Sequence, residues 1–168
     1  MSRAVLSIGS NLGDPLENLR SVVDALGDRL VAASGVYATA PWGGVEQQDF
    51  LNATLIAADP ELDCRGWLRL GQELEAAADR VRELRWGPRS LDIDVIDCDG
   101  VVSDDPDLTL PHPRAHERAF VLIPWLEVDP DASLVVRGAT TSARELLGDL
   151  DANERDGVRR TELRLVRP

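Results

Sequence analysis

The sequence predicts an α+β sandwich in which a largely antiparallel sheet carries helices on its faces. Three observations predict it. Short apolar runs rich in β-branched residues (4–9, 34–39, 50–57 and 91–98) are interleaved with stretches of helical periodicity (15–30, 63–81, 117–127 and 142–150). These elements do not follow the strict strand–helix–strand order of a parallel, doubly wound sheet. The 168 residues, 43% of them apolar, are the size of one ordinary domain with a real core. The expectation is a single domain over 1–168, with 151–168 as a C-terminal extension of unassigned role.

Each element has a local cause. Residues 4–9 (AVLSIG) make a buried strand that Gly9-Ser10-Asn11 ends as a turn. Asp14 can cap the free amides of the helix that follows, Pro15 suits its first position and Glu17 its capping box. Leu16, Leu19, Val22, Val23 and Leu26 give that helix one apolar face, so it is placed over 15–30. Residues 34–39 (SGVYAT) read as a second strand, which Ala40-Pro41-Trp42-Gly43-Gly44 breaks into a loop able to wall a site. A third strand follows at 50–57 (FLNATLIA). From Asp63 to Val81 the pattern is helical, and Arg80–Pro88 is irregular because Gly87-Pro88 cannot continue a helix. Residues 91–98 (LDIDVIDC) form the best strand, with a turn at Asp99-Gly100 permitting a hairpin into Val101-Val102. Pro111, Pro113 and Pro124 divide the rest into short pieces, and beyond Ala152 only 161–166 (TELRLV) alternates like an edge strand.

Composition excludes several functions. With 18 basic against 30 acidic residues the net charge is −12, which opposes delocalised binding to nucleic acid or an anionic membrane. Every basic residue is an arginine, so P-loop and Schiff-base lysines are out of consideration. Cys64 and Cys98 are too few for a disulfide scaffold or a cysteine-rich zinc site, and a reducing cytoplasm fits best. The N-terminus MSRAVLSIGSN lacks a long apolar leader region, and no stretch approaches a membrane span.

The chemistry concentrates in Arg85–Val95. Asp92 and Asp94 are two apart on a strand, so their carboxylates project to one side, roughly 6–7 Å apart. That face continues through Ile96 and Cys98, while Leu91, Ile93 and Val95 take the other; both faces therefore carry apolar side chains. Alone, such a pair more often marks a solvated strand end. Arg80, Arg82, Arg85 and Arg89 precede it within ten residues, in a chain whose net charge is strongly negative. Guanidinium forks match phosphate oxygens and Mg²⁺ prefers carboxylate and phosphate oxygens, so the combination fits a nucleoside-triphosphate site. Arg80 and Arg82 also suit an ion-paired helix end. His112, held between Pro111 and Pro113, can donate to a phosphate or be a plain surface histidine. Trp42, Phe50, Trp86 and Phe120 lie near predicted loops or strand edges, where core packing is the blander role. Asn52 shares a strand face with Phe50 and can offer its amide to a heterocycle edge.

The blocks IGSNLGD, YATAPWG, DFLNAT, RVRELRWGPRSLDIDV, LTLPHPRAHERAF and VLIPWLEVDP, in this order over residues 5–130, resemble the 6-hydroxymethyl-7,8-dihydropterin pyrophosphokinases of folate biosynthesis. The resemblance implies a ferredoxin-like sandwich, a monomer, and transfer of diphosphate from ATP to the pterin hydroxymethyl group with release of AMP. It implies that Asp92 and Asp94 hold two Mg²⁺ ions and, with Arg80 and Arg89, carry catalysis. It places Leu68, Gln72, Glu75, Arg80, Arg82, Arg89, Val95, His112 and Arg118 around ATP. It places Phe50 and Phe120 on the two faces of the pterin ring, Asn52 at its polar edge, Thr39, Ala40 and Trp42 in the pocket wall, and Trp86 at a closing loop. Phe50 and Pro113 stand where Tyr is common, Asp79 where Gly is common, and the segment between Arg82 and Trp86 is one residue short of some members. No residue stands out as a general base, with Asp94 the one candidate offered.

Two other classes compete. A regulatory domain that binds nucleotide or pterin without turnover would keep the same pocket. A divalent-cation-binding structural module would need only the carboxylates and leaves the arginines unexplained.

Overall fold

The computed structural model describes residues 2–40, 48–80 and 90–166, with residue 80 described by its backbone alone. In chain order the elements are β1 (Ser2–Ser10), α1 (Pro15–Leu26), β2 (Leu30–Ala33), β3 (Tyr37–Thr39), β4 (Phe50–Asp59), α2 (Cys64–Arg80) and β5 (Asp92–Cys98). There follow β6 (Ser103–Asp105), β7 (Leu108–Leu110), α3 (Ala119–Val128), β8 (Ser133–Val136), β9 (Ala139–Ser142), α4 (Ala143–Asp149), α5 (Ala152–Asp156) and β10 (Val158–Arg160). The main sheet runs β10-β3-β4-β1-β5, with β2 sharing the outer edge of β4, and every pairing is antiparallel. This is the predicted α+β class, ferredoxin-like in architecture.

The helices take opposite faces of the sheet. Leu19, Val22 and Leu26 of α1 and Trp67 of α2 pack with Leu6, Ile8, Leu55, Ile93 and Val95 in one core cluster. Val121, Leu122 and Trp125 of α3 pack with Val5 and Ile96 in the other. Trp67 is 1% exposed and its indole N–H donates to Ser2 Oγ at 2.7 Å, so this large side chain is buried without an orphaned donor. The second face is only partly covered. Along β1, β4 and β5 the residues under α3 grade from apolar (Val5, Ile56, Ile96) to polar (Ser7, Thr54, Asp94) to Gly9, Asn52 and Asp92, and the uncovered end is where the cavity opens.

Four expectations are corrected. The α-helix proper stops at Leu26, where Gly27 takes φ 55°; a single 3-10 turn over Gly27–Arg29 follows, and residue 30 already belongs to β2. Asp99 (φ 53°) and Gly100 (φ 70°) do turn the chain, but Val101 and Val102 lie outside any strand, and β6 pairs with β7 rather than β5. Cys98 does not share the Asp92 face. The β1–β5 ladder shifts between Val5 and Leu6, so Ile96 is an extra residue; beyond it Cys98 points into the α1/α2 core. The C-terminal strand is Val158–Arg160 rather than 161–166, since the backbone of β3 selects it and not the alternation of TELRLV.

Cys64 and Cys98 are joined by a disulfide, Cα–Cα 5.8 Å, between the start of α2 and the end of β5. Among the described residues no helix is long and apolar enough to cross a membrane.

Candidate active site

A cavity of about 840 Å³, in the size range of small-molecule sites, lies at the uncovered end of the sheet. Its floor is set by strand register. Asp92 is opposite Gly9, Gly9 opposite Asn52 and Asn52 opposite Tyr37, so one row of residues crosses β5, β1, β4 and β3. A second row, Val158–Thr39–Phe50, lies beside it across β10, β3 and β4. Gly9 is needed where it stands: a Cβ there would sit 3.0 Å from Asn52 Oδ1.

One end of the cavity is acidic. Asp92 is exposed and Asp94 half-buried, both from β5 and both lining the cavity. Glu75 of α2 joins them, its Oε2 accepting from the Ile93 amide at 3.1 Å. Arg118 reaches Asp94 at 3.8 Å, and His112 sits off the same strand, its backbone amide donating to Ile96 O at 2.9 Å. Burial pulls the His112 pKa below its ordinary value; the Asp94 charge opposes this and Arg118 and Arg114 add to it. Nδ1 of His112 accepts from the Arg114 amide at 3.2 Å, so the neutral ring carries its proton on Nε2. Asp79 Oδ1 accepts from the Ser90 amide at 3.1 Å, and Asn18 donates to the Ser10 hydroxyl at 3.0 Å and the Ser90 carbonyl at 3.3 Å. These bonds pin the start of β5.

The other end is aromatic. Phe50 and Phe120 are half-buried and line the cavity with Thr39, Ala40 and Asn52. Asn52, 5% exposed, donates its amide to Thr39 Oγ1 at 3.0 Å, which fixes the side chain with its carbonyl toward Gly9. The Arg118 guanidinium lies 5.5 Å from the centre of the Phe120 ring, a cation–π contact that links the two ends.

Of the residues singled out from the sequence, Thr39, Ala40, Phe50, Asn52, Glu75, Asp92, Asp94, Arg118 and Phe120 come together here. His112 stands behind Asp94, close enough to feel its charge. Leu68 packs against the α1/α2 core, Val95 is 7% exposed within it, and Gln72 is exposed on α2; none of the three lines the cavity. Trp42, Arg82, Trp86 and Arg89, and the Arg80 side chain, fall outside the described residues. The cavity also takes Ser7, Arg114, Glu117, Asn153, Glu154 and Val158, which the sequence reading did not single out. Ser7 was legible from strand alternation; the C-terminal residues carry no local signal.

The donor set fits a hard divalent cation. Two carboxylates from one strand supply the oxygen ligands such an ion prefers. Among the described residues no group of three or more His, Cys, Asp or Glu is placed to hold a metal ion.

Residues 5–130 match the family profile described as 7,8-dihydro-6-hydroxymethylpterin-pyrophosphokinase. Similar curated proteins include the 2-amino-4-hydroxy-6-hydroxymethyldihydropteridine pyrophosphokinase of Mycobacterium bovis, 56% identical over 95% of this chain and 89% of that protein. The protein of the same name from Methylorubrum extorquens is 46% identical over 96% of this chain and 100% of that one. Among solved structures, wild-type Plasmodium falciparum HPPK-DHPS superposes with a TM-score of 0.63 at 13% identity, covering 88% of this chain. This chain spans 40% of that one, and the likeness bears on the fold alone.

Proposed function

The chain belongs to the 7,8-dihydro-6-hydroxymethylpterin-pyrophosphokinase family, an ATP-dependent diphosphotransferase of folate biosynthesis, and from that premise we propose how its cavity divides the work. The acidic end takes the triphosphate of ATP and the aromatic end takes 6-hydroxymethyl-7,8-dihydropterin. The carrying observation is that the row Asp92–Gly9–Asn52 sets the two ends side by side across three strands.

In this reading the pterin ring lies between Phe50 and Phe120, with Asn52 at its polar edge, its orientation fixed by Thr39. Thr39 and Ala40, with Trp42 and Trp86, complete that end. Held this way, the pterin hydroxymethyl oxygen faces the β-phosphorus of ATP; its attack transfers the terminal diphosphate and AMP leaves. Arg118 and the Nε2–H of His112 donate to phosphate oxygens, as do Arg80, Arg82 and Arg89. Leu68, Gln72, Glu75 and Val95 border the nucleotide. Asp92 and Asp94 would hold Mg²⁺, two ions in our reading, which when bound neutralises charge on the transferring group. Most of the acceleration then comes from in-line placement and exclusion of water. We further read 1–168 as one domain acting as a monomer in the cytoplasm, where the Cys64–Cys98 pair would be kept as thiols. Sedimentation of the purified protein and a thiol count in cell extract test these points.

The direct test is to mix protein, Mg²⁺, ATP and 6-hydroxymethyl-7,8-dihydropterin and resolve the nucleotides. AMP with pterin diphosphate is expected, and ADP as the sole nucleotide product would sink the reading.

A further inference from the structure

The start of α3 has a capping problem. Its N-cap residue is Arg118, whose side chain makes no cap hydrogen bond and can only donate. Ala119 is 0% exposed, so its amide cannot turn to solvent. The missing acceptor comes from α5: Glu154 Oε1 receives the Ala119 N–H at 3.1 Å. Carboxylates are favoured at helix N-termini, and this one comes from 35 residues away.

The location of that amide matters. Ala119 lies between Arg118, at the acidic end of the cavity, and Phe120, at the aromatic end. Glu154 itself lines the cavity, and the turn after it leads into Val158, paired with Thr39. The segment is fastened to the sheet: Arg160 reaches Glu127 at 3.0 Å, Arg159 reaches Asp49 at 2.5 Å, and Thr161 N donates to Val36 O at 2.9 Å. Glu154 and the fastening residues Arg159, Arg160 and Thr161 lie beyond the residues that the family profile matches.

We infer that Glu154 is a positioning residue for the pterin: it caps α3 at Ala119 and thereby fixes the Phe120 ring against which the heterocycle stacks. The inference rests on the pterin end of the cavity as read above. It gives the C-terminal segment a part in substrate recognition rather than in chemistry.

The test compares Glu154→Ala and Glu154→Gln with the parent protein, all three first shown to melt cooperatively. Loss of the acceptor should raise the calorimetric Kd for 6-hydroxymethyl-7,8-dihydropterin about tenfold, equivalent to one strong hydrogen bond, while kcat at saturating pterin stays within about twofold. Glutamine keeps an acceptor oxygen and should restore the Kd. Amide exchange at Ala119, measured without substrates, should speed up in Glu154→Ala and not in Glu154→Gln. Unchanged exchange in Glu154→Ala, an unchanged Kd, or a Glu154→Gln protein as impaired as the alanine variant would each overturn the inference. A parent protein that binds pterin but forms no AMP would instead refute diphosphate transfer, leaving the Kd comparison intact.

Discussion

The two ends of the cavity are built in different ways. The acidic end draws its two principal side chains from a single strand, two residues apart, so its geometry follows from the pleat of β5. The aromatic end is collected from β3, β4, the start of α3 and the C-terminal segment, and exists only when the whole sheet is assembled. A motif contiguous in sequence can deliver charge to one point. Enclosing a planar ring takes walls from several directions, and those come from topology.

If this division is right, damage at the two ends should read out differently. The largest effect is expected for Asp92→Asn and Asp94→Asn, where turnover should fall about a thousandfold or more as the metal ligands go. The melting temperature should hold, and the Kd for pterin should move little. AMP formation and pterin calorimetry on the same samples check this; a selective loss of pterin binding would erase the distinction between the ends. Next comes Asn52→Ala, which should weaken pterin binding by about 10- to 100-fold with the Mg²⁺ dependence of kcat unchanged, as expected for loss of one or two buried hydrogen bonds. Gly9→Ala tests the boundary, since its new Cβ would lie 3.0 Å from Asn52 Oδ1. Displacing that amide should cost pterin affinity about fivefold, less than removing it. Equal losses at both substrates would mean that the row cannot be separated into two ends.

The remaining effect concerns the fastening of the aromatic end, and it is read in stability rather than activity. Tyr37 donates its hydroxyl to Glu127 at 2.5 Å, and its pKa is pushed up to about 12, first by burial and then by the Glu127 carboxylate. The folded protein therefore keeps the phenolic proton at a pH where the unfolded chain releases it. This contribution is fully present below pH 10 and is lost as pH rises from about 10 to 12, up to about 2–3 kcal/mol. Tyr37→Phe should lack that part of the alkaline slope in urea melts, and an identical slope in both proteins would remove Tyr37 as its source.

The same contrast explains what was legible in the sequence. Asp92–Cys98 is legible within one residue because apolar and acidic side chains alternate from Leu91 to Val95 and again from Ile96 to Cys98, and α1 is legible from Asp14 and Pro15. Misplacements arose where a nonlocal partner decides. Leu30–Ala33 carries on the apolar spacing of α1 yet pairs with β4, and the stop at Gly27 was the signal passed over. Val158–Arg160 is polar and short, and becomes a strand because β3 offers a free edge and Asp49 and Glu127 offer charge. For the site, alternation found the acids, whereas Phe50 and Phe120, 70 positions apart in the chain, were grouped only by family resemblance. Glu154 could not be foreseen, since nothing near it in sequence reveals the amide it serves.

The extra residue in β5 divides the strand into two halves. Ahead of Ile96 the strand's even-numbered positions serve the cavity; past it they face the opposite layer, where Cys98 packs in the core against the start of α2. The strand thus changes phase halfway along. Its distal half anchors to a different body of the protein from the one its proximal half serves, so drift in residues 97–100 can be absorbed as stability without reaching the carboxylates. Deleting one residue at the bulge would remove that insulation, forcing either the anchor or the acids onto the wrong side of the sheet.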